Sequence, residues 1–149
     1  MLAEVMLLSL RVALLAVAAG AACPSTEWKQ WAGMCYWASD YTLNWRNVDR
    51  VCDDMFPGAT SVSIHDMDLE AFLSVNLLNY QRAWIGLRRS SPSESWTWSD
   101  GSAYDFSMWG SGQPNNEAES CAAINLTYGT WGDFNCDSYY TLFMCQIHS

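Results

Sequence analysis

The sequence predicts one α+β domain stapled by disulfides, and three observations carry that prediction. Two segments place apolar residues at three- and four-residue steps behind a capping side chain, the pattern of an amphipathic helix. Short apolar runs around them have strand length. Six cysteines (23, 35, 52, 121, 136 and 145) follow an N-terminal apolar run, which outside the cell is most simply a disulfide framework.

The leader comes first. Val12 to Ala19 is apolar and Gly20-Ala21-Ala22 are small, which suits export and cleavage, so residues 1–22 are expected to be a signal peptide and 23–149 the domain. The run is too short to cross a bilayer, which takes about twenty residues. Met6 is an alternative start that puts Arg11 in the basic flank. From Cys23 to Ala38 the chain is aromatic, with Trp28, Trp31, Tyr36 and Trp37, and suits a short opening hairpin. Thr42 is expected to cap a helix whose apolar face runs Trp45, Val48, Cys52, Met55 and Phe56, ended by Pro57-Gly58. Val62 and Ile64 belong to a brief strand. Asp66 is expected to cap a second helix with an acidic first turn, Asp68 and Glu70, buried along Leu69, Phe72, Leu73 and Leu77. Those acids are expected to be solvated. Ala83-Trp84-Ile85-Gly86-Leu87 reads as a central strand.

From Arg88 to Ser120 no period of 2 or 3.6 persists, and Ser, Gly, Pro and Asn are frequent. A loop this long is functional or disordered. Disorder would leave Trp96, Trp98, Tyr104, Phe106 and Trp109 in water, so a folded long loop with its own aromatic core is expected. Short strands follow over residues 122–126, 130–131 and 141–146.

The formal charge of −9 and the scatter of seven Lys and Arg argue against nucleic acid as a partner. Zinc competes with disulfides for the cysteines, but no Cys-x-x-Cys knuckle occurs and only His65 and His148 could assist. Neither histidine has a plausible Ser or Cys partner for nucleophilic catalysis, and His65 is expected to hold backbone at a strand-to-helix junction. Glu117 and Glu119 lack an opposing acid to bracket a glycosidic bond, so no enzyme is expected. Trp131 is expected in the core. Asn125-Leu126-Thr127 is a glycosylation sequon.

One stretch points to metal chemistry. Gln113-Pro114-Asn115-Asn116, then Glu119, Cys121, Trp131-Gly132-Asp133 and Cys136, gather amide and carboxylate oxygens, the donors a hard cation such as Ca²⁺ takes. A bridge between Cys121 and Cys136 would clamp the two halves of that set together.

Taken in order, the cysteines, the two capped helices, Trp84-Ile85-Gly86-Leu87, Trp96-Thr97-Trp98-Ser99-Asp100-Gly101, the proline-centred triplet and Trp131-Gly132-Asp133 resemble a C-type lectin domain from Cys23 to about Ile147. The resemblance implies the long form of that fold: two helices packed on small antiparallel sheets with a long folded loop. It implies the disulfides Cys23–Cys35, Cys52–Cys145 and Cys121–Cys136. It also implies a cis proline at 114 and one calcium site whose ligands, Gln113, Asn115, Glu119 and Asp133, also bind sugar hydroxyls. The implied function is a secreted, calcium-dependent lectin of innate immunity, recognising glycans on microbial or other cell surfaces. Oligomerisation is left open.

Two departures matter. The family's Trp-Asn-Asp is Trp131-Gly132-Asp133 here, so one amide ligand is missing, and water, Asn116 or Asn135 would have to replace it. The triplet Gln-Pro-Asn also differs from Glu-Pro-Asn of mannose-type and Gln-Pro-Asp of galactose-type members. Only Glu119 and Asp133 bring charge, so a weak site is expected, with Asn115 tilting preference mildly toward mannose. Arg88, Arg89 and Ser90 stand where an auxiliary calcium site needs acids, and none is expected. The rival reading is a lectin-like domain that binds a protein or other non-sugar surface without calcium.

Overall fold

The computed structural model describes residues 21–116, 118, 120–125 and 129–149. Most of the leader, Glu117, Glu119, Leu126 and Thr127 of the sequon lie outside the described residues.

The opening hairpin pairs β1 (Lys29–Trp31) with β2 (Met34–Ala38), and Gly33, at φ +80°, takes the left-handed turn position beside Ala32. A 3-10 turn over Trp45–Asn47 leads into helix α1 (Val48–Met55). Thr42 does not cap it. Leu43 pairs with Thr141 as an isolated bridge, so the chain there is still extended, and the helix starts behind Asn47 without a side-chain cap. Val48 and Cys52 are buried, whereas Met55 is exposed.

The second helix begins as expected. Asp66 Oδ1 accepts from Leu69 N at 2.8 Å, and α2 (Met67–Phe72) runs on into a π-helical turn, Leu73–Leu77. Leu69 and Leu73 face the core. Glu70 departs from expectation: it is 3% exposed, because the helix lays that side chain against the turn at Gly129.

The remaining strands are β3 (Thr60–Ser61), β4 (Ala83–Arg89), β5 (Thr97–Trp98), β6 (Ser120–Ile124), β7 (Trp131–Phe134) and β8 (Leu142–His148). They form one path, β1-β2-β8-β4-β6-β7, with β3 on β8 and β5 on β4. Every pairing is antiparallel except β4 with β8, which meet in parallel at Ala83↔Leu142 and Trp84↔Phe143. That parallel contact joins a lower sheet carrying the termini to an upper sheet carrying the long loop.

The three disulfides are Cys23–Cys35, Cys52–Cys145 and Cys121–Cys136. The second spans 93 residues and ties α1 to β8, closing almost the whole domain. On a chain-entropy account that constraint is worth about 4–5 kcal/mol. The long loop is folded, as its aromatics require. Trp96 packs on Trp109, and Trp98, Phe106 and Trp109 all meet Trp131 edge-on with centroids 5.8–5.9 Å apart. Trp131 is fully buried at the centre of that cluster. Among the described residues, no helix is long and apolar enough to cross a membrane.

Candidate functional site

The site sits where the long loop returns to the upper sheet. Trp131 N donates to Met108 O at 2.7 Å, Gly110 N to Trp131 O at 2.9 Å, and Gln113 N to Gly110 O at 2.9 Å. These bonds hang the segment 108–113 on the start of β7. The peptide bond between Gln113 and Pro114 is cis.

Asp133 is the hub. It points from β7 beneath the loop and is 7% exposed. Its Oδ1 accepts from Asn115 N at 2.9 Å and its Oδ2 from Asn116 N at 3.0 Å, while Asp133 N donates to Gln113 Oε1 at 3.3 Å. The register Ala122↔Asp133, with Cys121 and Cys136 bridged nearby, fixes where that carboxylate stands. Gln113, Asn115 and Asp133 therefore meet, although they are separated by up to 20 residues. Glu119 lies outside the described residues.

The departures from the family pattern now have a geometry. A Cβ on Gly132 would stand 3.7 Å from Gln113 Oε1, so a side chain there would enter the site, and 3.3 Å from Phe134 Cε2, a close contact. Both proposed substitutes already accept local hydrogen bonds, and Asn135 uses both of its lone pairs in doing so. Asn135 Oδ1 accepts from Asp137 N and Ser138 N in its own turn, and Asn116 Oδ1 accepts from Ala118 N.

The donor set suits a hard cation in kind. It offers one carboxylate and amide oxygens, with no thiolate or imidazole, and each carboxylate oxygen keeps a lone-pair direction beyond the amide it already accepts. Among the described residues no group of three or more His, Cys, Asp or Glu side chains converges. The described oxygen donors of this site are mostly amides, Gln113 and Asn115 beside the single carboxylate of Asp133.

Sequence reasoning missed two contributors. One is Asp133 as the anchor of the Asn115 and Asn116 backbone, a role invisible in residue type. The other is Arg89, which stands with its guanidinium carbon 5.0 Å from the Trp96 ring and donates to Asn116 O at 2.9 Å, tying the loop to β4. Arg88-Arg89 in place of acids was the available signal. His65 holds a carboxylate and not backbone, with Nδ1 2.8 Å from Asp105 Oδ1, and that contact holds the Asp105 carboxyl below the usual range. Asn125 is half-buried, and its Oδ1 accepts from Arg82 Nε at 3.1 Å.

The model of the lectin C-type domain matches residues 41–147, and the chain belongs to that family. Membership of a lectin family places it among binding proteins and not enzymes. It is 35% identical to lectin BRA-3 of Megabalanus rosa over 129 residues, 84% of this chain and 78% of that protein. It is likewise 35% identical to C-type lectin lectoxin-Lio3 of Erythrolamprus poecilogyrus over 150 residues, 96% of this chain and 92% of that one. Among solved structures, it is similar to the cow CD23 carbohydrate-recognition domain crystallised with a GlcNAc2Man3 oligosaccharide. The TM-score is 0.75 at 27% identity, covering 86% of this chain and 97% of that one. The calcium-independent type II antifreeze protein has a TM-score of 0.75 at 20% identity over 85% and 95% of the two chains, a likeness of fold alone.

Proposed function

We propose that this chain is a secreted lectin that captures carbohydrate through one weakly held calcium ion. Residues 1–22 direct export. Gln113, Asn115, Glu119 and Asp133 hold the ion and share the sugar's hydroxyls. The observation that carries the reading is the meeting of Gln113 Oε1 and the Asp133 carboxylate beside Asn115 at the cis-proline turn.

Calcium, when bound, would supply a positive centre that attracts sugar hydroxyl oxygens. The chain's own residues do the rest. Gln113 and Asn115 present amide oxygens to the ion and amide N–H groups to sugar oxygens, while the carboxylates accept from hydroxyls. Two carboxylates just neutralise the ion, so its affinity belongs with extracellular modules at about 10⁻⁴–10⁻³ M. Asn115 favours mannose-type ligands mildly, and glycans of microbial or other cell surfaces, in an innate-immune setting, are the targets. Single sugar sites grip weakly, so useful avidity requires several domains together.

A second reading has its own support. Asp133 holds the loop through two backbone amides, and Gly132 brings no ligand side chain. Such a domain would bind a protein or other non-sugar surface free of calcium. Calcium calorimetry, paired with retention on immobilised mannose and galactose with and without chelator, separates the two. Retention that chelator abolishes supports the lectin. No heat of calcium binding and no retention on either sugar would leave the second reading standing.

A further inference from the structure

α2, its π-helical extension, Tyr80, Met108 and Gly129 border an open cavity of about 290 Å³. Its walls are mostly apolar: Met67, Ala71, Val75, Tyr80 and Met108. Its charged side chain is Glu70, 97% withdrawn from solvent by the 3% exposure of the residue. Ser74 Oγ donates to Glu70 Oε1 at 3.0 Å and is the hydrogen-bond partner of that carboxyl among the described residues. The other oxygen, Oε2, rests against Gly129, where a Cβ would stand 2.4 Å away, so the turn is moulded to the carboxyl. Among the described lining residues none is basic, and Tyr80 is the other titratable group.

We propose that this cavity is a second binding site, for a small apolar primary amine whose ammonium pairs with Glu70 and whose hydrocarbon body packs on Met67, Val75 and Met108. A buried carboxylate without a cation is costly, and an ammonium satisfies both its charge and its free lone pairs. Burial pushes Glu70 up to about 7, only partly offset by the Ser74 hydroxyl, since the lining offers the carboxylate no cation among the described residues. The volume lies at the small end of ligand pockets, which suits one ring or a short alkyl chain. One more acid borders the adjoining groove, where Asp68 lies beside Trp31 and Phe72, so an anionic or lipid-headgroup ligand is disfavoured.

None of the lining residues is among the four proposed calcium ligands, so the test runs on the full disulfide-bonded chain at pH 8 with EDTA present. Phenethylamine, 2-phenylethanol and Nα-acetyl-lysine amide are titrated by calorimetry against the wild type and Glu70→Gln. The amine is expected to bind in the millimolar range and to lose about tenfold in the variant, while the alcohol treats the two alike. Sugar retention of Glu70→Gln in calcium should match the wild type, which keeps this result separate from the fate of the lectin reading. Equal amine binding by the two proteins overturns the proposal, as does no binding to the folded wild type. A lysine derivative that binds as tightly as phenethylamine would make a protein chain the ligand and overturn the free-amine assignment.

Discussion

Glu70→Gln should also remove a pH dependence of stability. The carboxyl rises from 4.5 to about 7 on folding, because burial disfavours its charge more than the Ser74 hydroxyl favours it. A group whose folded value is raised contributes fully below its unfolded value and loses that contribution as pH climbs through the folded one. The wild type should therefore weaken between about pH 4.5 and pH 7. Carried through in full, the shift sets a ceiling of roughly 3 kcal/mol. Water entering the open side of the cavity screens the charge, which brings the expected loss to about 1–2 kcal/mol. For a domain of this size that is about 4–8 °C in melting temperature. The lowered acids do not blur the window, since Asp100, Asp105 and Asp137 are held below the usual aspartate value and their contribution is complete throughout it. Thermal melts at pH 5 and pH 8 read the effect directly. Glutamine keeps an oxygen for Ser74, so the variant should be no less stable than wild type at pH 8 and nearly flat across the range. The same slope in both proteins would refute the assignment of that carboxyl to a buried position without a cation.

Asp133→Asn should leave the fold intact and weaken calcium binding at least about tenfold, because an amide can offer only one acceptor oxygen to the Asn115 and Asn116 amides and carries no charge. Calorimetry checks this, and unchanged affinity would remove Asp133 from the ligand set. Gly132→Asn should strengthen calcium binding about tenfold, ~1.4 kcal/mol, since its side chain would enter beside Gln113 Oε1 once the Phe134 ring gives way slightly. An unchanged titration curve would show that position 132 does not face the ion. Gly129→Ala should destabilise by about 1–3 kcal/mol, as it combines φ +66° with a methyl driven into the Glu70 carboxyl. Denaturant melts measure it, and a neutral result would mean the turn is not moulded to Glu70.

How much of this was legible depended on how local each cause was. The Asp66 cap and the Leu69–Leu73 face were legible because both are fixed within a single helical turn. The clustering of Trp96, Trp98, Phe106 and Trp109 in the long loop was legible because solvent exposure of so many rings is untenable, whereas Tyr104, expected with them, stays exposed. Thr42 misled because Leu43 is claimed by Thr141, far along the chain, and a cap cannot form where the backbone is still paired. Glu70 misled for the same kind of reason. An acid in a first helical turn is ordinarily solvated, and only the approach of Gly129 from another strand pair buries it.

The sequence by itself determined the chemistry available: six cysteines, a proline between two amides, an aspartate two residues after a tryptophan, and the family order that links them. Tertiary structure decided what each atom does. Asp133 became a clamp on two backbone amides because the β6–β7 register and the Trp131 cluster bring the loop over it. Asn135 was turned away from the site by its own turn. The physical reason is range: caps and periodicity are settled between neighbours in the chain. The convergence of a site is settled by strand register, packing and crosslinks that join distant segments, and these exist only in the folded molecule.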